Sequence, residues 1–211
     1  DGTAWNTYMQ PGALQTRCET CHADLGPSRS HTVHGGKLEC VTCHTKEFPT
    51  CFNCHLDTRF EQHKDVQIMV TDMLFLVNRA GRVTTANFLS YVYGDKTMIT
   101  LAPYFPHSVQ KQGRACNDCH GAPTVAAVRD GSLRLAEWQD GKLAHPAGVI
   151  PVAEGMAWNL VFLDYHEGKD GGEATWTPLD KPEPPLVNFA GWCTPLSRAQ
   201  LGKLEKPVSE Q

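Results

Sequence analysis

The sequence lacks the features that mark several common classes of protein. Its 211 residues contain no run of basic residues, and a net charge of -4 with a pI of about 6.2 gives no indication of nucleic-acid binding. No apolar stretch approaches the roughly 20 residues that cross a bilayer. The chain begins DGTAWNTYMQ, without the basic and apolar regions of a signal peptide. We therefore expect a mature, secreted chain.

Large aliphatic residues are also scarce, whereas Gly (18), Pro (14) and Cys (9) are plentiful. A chain of this composition has few side chains with which to fill a core. The clearest strand-like region spans residues 66–102, where apolar runs alternate with turns at NRAGR and GDK. We predict a small antiparallel hairpin or meander there. Residues 121–211 should form a wrapping segment with a short helix near each end and an extended, Pro-rich stretch at TWTPLDKPEPPLV.

Eight of the nine cysteines form four C-x-x-C pairs, and a histidine directly follows each pair. C-x-x-C-H is the attachment sequence of c-type haem. On a helical turn its three side chains share one face, so two thiols can bind the haem vinyl groups while the imidazole binds iron. The predicted attachment cysteines are Cys18, Cys21, Cys40, Cys43, Cys51, Cys54, Cys116 and Cys119. The predicted proximal ligands are His22, His44, His55 and His120.

Three other interpretations of the cysteine pairs are weaker. A zinc ribbon uses paired C-x-x-C, and a disulfide framework uses many cysteines, but neither needs a histidine after every pair. A thioredoxin-like site needs one C-x-x-C, not four. The sequence therefore predicts four covalently bound c-type haems.

Four haems in 211 residues imply a thin protein layer. We predict a single tetrahaem domain over residues 1–211, with haem attachment within 18–120, a β insert at about 66–102 and a haem-free segment at 121–211. The expected fold is mostly irregular coil with short helices and a small β-hairpin or meander, wrapped around a chain of haems. Cys40 and Cys51 lie 11 residues apart, which spans about 16 Å in a helix and at most about 40 Å extended. The second and third haems should therefore be near neighbours.

The remaining six histidines can supply the second axial ligands. HTVHGGKLECVTCH and HSVQKQGRACNDCH both read H-[TS]-V, six residues, then C-x-x-C-H. This repeat favours His31 and His107 as distal ligands, each to the haem of its own motif or of a neighbour. His34 stands three residues after His31 and can serve a second haem, and His63 follows the third motif closely. Whether His145 or His166 binds iron stays open.

Two sulfur-containing groups have alternative roles. Methionine is a rival sixth ligand, but Met69, Met73 and Met98 lie in apolar runs that indicate core packing. Cys193 belongs to no motif. It is either a buried free thiol or, in an oxidising compartment, one half of an intermolecular disulfide.

With CETCH, CVTCH, CFNCH and CNDCH and its surplus of histidines, the chain resembles the multihaem c-type cytochromes of metal-respiring bacteria. More narrowly, it is similar to tetrahaem "nanowire" cytochromes that polymerise into extracellular filaments. The resemblance implies bis-histidine haems in a continuous stack, identical subunits as partners, and electron transfer to redox partner cytochromes and extracellular acceptors such as metal oxides. It also implies that one iron takes its distal histidine from the adjacent subunit.

The sequence thus predicts an extracellular or cell-surface electron-transfer protein rather than an enzyme. One alternative is a soluble periplasmic tetrahaem shuttle that docks transiently with its redox partners. Another is a haem reductase, which would need an iron with an open axial position. We expect neither a nucleic-acid partner nor a transmembrane segment.

Overall fold

A computed structural model describes residues 4–8, 10, 12–14, 16–26, 28–46, 49–106, 108–169 and 172–208. Within these ranges the helices are all short. They are α1 Cys18–Cys21, α2 Arg29–His34, α3 Val41–His44, α4 Leu56–Gln62, α5 Pro123–Arg129 and α6 Arg198–Leu204, with a 3₁₀ turn at Cys116–Asp118. The strands are β1 Thr50–His55, β2 Ile68–Val70, β3 Met73–Arg79, β4 Arg82–Tyr93, β5 Lys96–Pro103, β6 Arg134–Gln139, β7 Lys142–Ala144, β8 Gly148–Pro151, β9 Asn159–Leu160, β10 Leu163–His166, β11 Thr175–Pro178, β12 Leu186–Phe189 and β13 Cys193–Thr194.

The expected fold class, mostly irregular coil around haems, is wrong. Strands hold 36% of the residues and helices 20%, arranged in three sheets. The error arises mainly in the segment 121–211, which was expected to drape over a surface. Instead it supplies β8, β12 and β13 to the same sheet as β3 and β5. Such pairing joins residues far apart in the chain, so local composition gave no sign of it.

The main sheet has eight strands and is organised around β4. The path through it runs β12-β5-β4-β1-β2, while β3 pairs with β4, β8 and β13. The first half of β4 pairs antiparallel with β3, its second half pairs parallel with β1, and β5 pairs along most of its length. Strands β2–β5 cover residues 68–103, close to the predicted insert, but they are the centre of a larger sheet rather than a separate meander.

Aromatic side chains fill the core beside this sheet. The ring centres of Phe75 and Phe88 lie 4.8 Å apart, and those of Phe52 and Phe88 lie 5.1 Å apart. Helix α5 closes the core with Val125 and Val128. Fully buried aromatic rings of this kind stabilise a domain by a few kcal/mol each, about 1.5–3 kcal/mol from burial alone. The sheet is therefore a frame that can position the cysteine motifs along its edges.

None of the helices in the described part of the chain is long and apolar enough to span a membrane.

Candidate haem sites

Helix α2 carries two of the predicted distal histidines. The helix ends at Gly35, whose left-handed backbone (φ 47°) lets the chain turn away. Near its start the Thr32 hydroxyl donates to the carbonyl of Ser28. His31 and His34 are three residues apart on this helix, and residues at that spacing are neighbours on a helix surface. One short helix thus presents two imidazoles together.

Each of these imidazoles faces the histidine of a different C-x-x-C-H motif. The ring centres of His31 and His44 lie 6.3 Å apart, and those of His34 and His120 also lie 6.3 Å apart. Two imidazoles on opposite sides of one metal ion have ring centres about 6 Å apart, since each metal–nitrogen bond is about 2.0 Å and each nitrogen lies about 1.1 Å from its ring centre. Both pairs therefore have the spacing of two axial ligands.

Hydrogen bonds leave the iron-binding nitrogens of three of these rings free. His44 Nδ1 lies 2.9 Å from the carbonyl of Gln110, and His120 Nδ1 lies 2.9 Å from that of Lys203. His34 Nδ1 lies 2.7 Å from a carbonyl one turn earlier in its own helix. A carbonyl only accepts, so each Nδ1 must carry the hydrogen. Nε2 then keeps its lone pair, as metal-binding imidazoles require.

The second motif is held between two parts of the chain. On one side, Thr42 donates its hydroxyl to the carbonyl of Val83 at the start of β4. On the other, the backbone N–H of Arg114 donates to the carbonyl of Cys43, and Gln110 N–H donates to the carbonyl of His44. The residues just before the fourth motif therefore pack against the second motif. Because the two motifs are neighbours, His31 and His34 on one helix can each reach a different motif.

The cysteine thiols show which motifs are neighbours. Cys40 contacts Cys18, and burial, followed by the charge of Glu19, raises the pKa of Cys40 to about 12. Burial also raises the pKa of Cys119 to about 12, with a further contribution from Cys43. These contacts place the first motif beside the second and the second beside the fourth.

Gly113 keeps the space beside His44 free of a side chain. A methyl group built onto Gly113 would lie 3.4 Å from Cys43 Cβ and 3.6 Å from His44 Nε2. A larger residue at this position would occupy the side from which Nε2 is approached. With two thiols, a free Nε2 and a facing imidazole, the second and fourth motifs fit a covalently bound haem.

The third motif has a different structure, because CFNCH lies in strand β1. His55 is 4% exposed, and its Nε2 lies 2.9 Å from the carbonyl of Leu163, to which it must donate. Cys54 pairs with Tyr91 whereas His55 pairs with Val92. Adjacent residues of a strand point to opposite faces, so the imidazole and this thiol are separated by the sheet.

Asn53 explains much of this local structure. It is fully buried, with φ 55°, a left-handed conformation that Asn tolerates better than most residues. Its N–H donates to the Ser90 hydroxyl, and its side-chain oxygen accepts from the N–H of Leu163. The register of β1 against β4 shifts at this point, which is a β-bulge. The sequence analysis did not predict a structural role for Asn53. The Asn next to Phe52 within CFNCH was a signal that could have indicated one.

The first motif is at the surface. Cys18 and Cys21 form helix α1, and both are exposed, as is His22. Across the described ranges, no imidazole forms a ring pair with His22 of the kind seen for His44 and His120. His107, a predicted distal ligand, lies outside the described residues.

The other histidines are placed away from the haem motifs' imidazoles. His63 ends helix α4 with φ 55° and is exposed. His145 Nδ1 lies 3.1 Å from the carbonyl of Pro146, and His166 Nε2 lies 2.8 Å from the Thr177 hydroxyl. Among the described residues, His31 and His34 form ring pairs with motif histidines, and His63, His145 and His166 do not.

The two copies of the sequence repeat adopt different secondary structures. The first copy begins in helix α2, whereas Val109 of the second copy forms a β-bridge with Thr45. The similarity between the two stretches identified histidines and cysteines, not a shared conformation.

Cys193 is a buried thiol rather than an exposed one. Its side chain is 3% exposed, and its sulfur lies 3.1 Å from the carbonyl of Ala190. Burial raises its pKa to about 11. This placement favours the free-thiol interpretation over an intermolecular disulfide.

Within the part of the chain that the structure describes, no three His, Cys, Asp or Glu side chains converge as a metal-binding group. Comparisons with protein-family models, with curated proteins and with solved structures found no match to this chain.

Proposed function

We propose that this protein transfers electrons through covalently bound c-type haems. One observation carries the proposal. His31 and His34, on one short helix, lie at axial-ligand spacing from His44 and His120, the histidines of two separate C-x-x-C-H motifs. Chance packing of partly exposed histidines gives no reason for the same 6.3 Å spacing twice, with free Nε2 atoms on His34, His44 and His120.

The residues of these two sites have defined roles. Cys40, Cys43, Cys116 and Cys119 would hold the macrocycles, and the haem iron, when bound, supplies reversible one-electron chemistry. His31 with His44, and His34 with His120, would each provide two imidazoles to one iron, which would leave no position for a substrate. The carbonyls of Gln110 and Lys203 orient two of the imidazoles and strengthen them as ligands.

The contacts between motifs support transfer from one site to the next. Helix α2 links the second and fourth motifs, and the Cys18–Cys40 contact links the first and second. The first motif lies at the surface, with Cys18, Cys21 and His22 exposed. Electrons can therefore enter or leave the protein at the first motif without crossing a thick protein layer.

More specifically, we propose that the chain is a subunit of an extracellular filament whose identical copies carry electrons to external acceptors. The resemblance to filament-forming tetrahaem cytochromes supports this, as does the exposed first motif, which another copy could approach. A periplasmic shuttle would use the same exposed motif with transient partners. A haem reductase is disfavoured at the second and fourth motifs, because His31 with His44 and His34 with His120 would occupy both axial positions of an iron bound there.

The test begins with the purified protein. Intact mass should show covalent haem, and visible and electron paramagnetic resonance spectra should show low-spin, bis-histidine iron that is reduced and reoxidised reversibly. Absence of covalent haem would contradict the electron-transfer proposal, and a high-spin haem that binds cyanide would favour a reductase. Electron microscopy separates the finer alternatives: ordered filaments support the filament, and dispersed monomers contradict it.

A further inference from the structure

Arg114 lies where the second and fourth C-x-x-C-H motifs meet. It stands two residues before Cys116, the first cysteine of the fourth motif, and its backbone N–H donates to the carbonyl of Cys43 in the second. Its guanidinium donates to the carbonyl of Thr45, with the two atoms 2.9 Å apart. Backbone and side chain together therefore hold a cation of the fourth motif's lead-in segment against the second motif.

The charge of Arg114 acts on one thiol of each motif. Burial raises the pKa of both Cys43 and Cys119, and the positive charge of Arg114 opposes the rise in each case. A guanidinium stays protonated throughout the pH range in which proteins fold. The same permanent charge is thus within electrostatic range of the attachment cysteines of two haem sites.

No carboxylate neutralises this charge. Among the described residues Arg114 forms no ion pair, and its partner, the Thr45 carbonyl, is uncharged. Its Nε is buried without a hydrogen-bond partner, so the group is only partly solvated. Asp118 is the nearest acid in the sequence, but its side chain accepts from the N–H of Ala115 instead. A half-buried, unpaired charge is screened less than one on the surface.

Arg82 shows the opposite arrangement between the first and second motifs. Its guanidinium nitrogens lie 3.6 Å from a carboxylate oxygen of Glu19 and 3.3 Å from one of Glu39. Two carboxylates offset one arginine there, so this cluster adds no net positive charge. Of these two arginines between motifs, only Arg114 keeps its charge uncompensated within the described part of the chain.

We propose that Arg114 raises the reduction potentials of the second and fourth haems together; the inference rests on the proposed function. Reduction by a redox partner adds one electron at each site and takes iron from ferric to ferrous. A nearby positive charge disfavours the ferric state, which carries the greater positive charge. A unit charge about 10 Å from a redox centre changes its equilibrium constant about tenfold at an effective dielectric constant of about 20, or about 59 mV for one electron.

Potentiometric titration of the intact holoprotein tests this role. Arg114→Gln removes the charge but keeps the backbone N–H and a side-chain donor for the Thr45 carbonyl. It should lower two reduction potentials, each by about tenfold in the equilibrium constant. Arg114→Lys keeps the charge and should restore the parent values. The matched control is Lys111→Gln, an exposed cation of the same segment, which should shift the titration much less.

Electron paramagnetic resonance assigns the two shifts. The second haem should be high-spin in a His31→Ala background, and the fourth in a His34→Ala background. Adding Arg114→Gln should lower the potential of the high-spin haem in both. A shift confined to one of the two haems would overturn the shared role.

Intact mass and circular dichroism separate the possible failures. Four retained haems with equal titrations for Arg114→Gln and Lys111→Gln would overturn the inference and leave the proposed function standing. Equal losses of potential in Arg114→Gln and Arg114→Lys, or loss of haem from both, would make Arg114 a structural residue and overturn the inference as well. Absence of haem from the parent protein would overturn the proposed function itself.

Discussion

CVTCH and CFNCH are the same signature in two different structures. In the second motif, helix α3 leaves His44 Nε2 free beside His31. In the third, strand β1 buries His55 and occupies its Nε2 with the carbonyl of Leu163. The five residues of a C-x-x-C-H motif therefore specify the chemistry of its thiols, whereas the strands that pair with the motif determine where its imidazole points. Five substitutions and one count of free thiols test this difference between the two motifs.

We expect the largest change in stability when the first residue between the two cysteines of the third motif is replaced. Phe52 is fully buried and its ring lies 5.1 Å from Phe88, so Phe52→Ala should lower the free energy of unfolding by about 3–5 kcal/mol. Asn117 holds the same position in the fourth motif but is exposed, so Asn117→Ala should change it by no more than about 0.5 kcal/mol. Urea unfolding followed by circular dichroism measures both. Equal losses would show that the two motifs are built alike.

Removing the buried imidazole of His55 should lower the free energy of unfolding by a smaller amount. His55→Ala leaves the Leu163 carbonyl without its donor and opens space beside Trp176, whose ring centre lies 5.5 Å away. We expect the free energy of unfolding to fall by about 2–3 kcal/mol. The exposed His166 on the same strand as Leu163 is the control, and His166→Ala should cost less than about 1 kcal/mol.

The spectra of these variants carry a second test. His55→Ala should leave every low-spin haem low-spin, whereas His44→Ala should convert one haem to high-spin. A high-spin haem in His55→Ala would mean that β1 releases His55 when haem is attached.

The smallest expected change is in the number of free thiols per chain. Folded protein at pH 8 should not react with a thiol reagent, because Cys193 is buried and burial raises its pKa to about 11. After unfolding we expect one reactive thiol per chain, since the other eight cysteines are thioethers. Three would show that one of the four motifs carries no haem, and nine would contradict haem attachment altogether.

The sequence predicted some parts of this arrangement and not others, for physical reasons. The strands within 66–102 follow from apolar runs separated by turns at NRAGR and GDK. His31 was named as a ligand from the sequence repeat, and His34 from its position three residues after His31. That His34 faces His120 depends on residues 108–114 packing against the second motif, a contact between distant parts of the chain. The strand structure of CFNCH depends in the same way on pairing with β2 and β4, and on a bulge at Asn53.

The wrong expectation about fold class has a related cause. Low aliphatic content suggested a core filled by cofactors, yet Phe52, Phe75 and Phe88 pack with buried aliphatic side chains from several strands into one protein core. The strands of residues 121–211 are two to six residues long. Three of them, β8, β12 and β13, pair with β3 or β5, and the others pair among themselves, so no single stretch was long enough to predict alone.

The central claim is that helix α2 supplies distal ligands to two different haems. Electron paramagnetic resonance of His31→Ala, His34→Ala and the double variant tests it most directly, with Val33→Ala, exposed on the same helix, as control. Each single variant should convert one low-spin haem to high-spin, the double variant two, and the control none, with all haems still attached. Unchanged low-spin signals in the double variant would contradict the account.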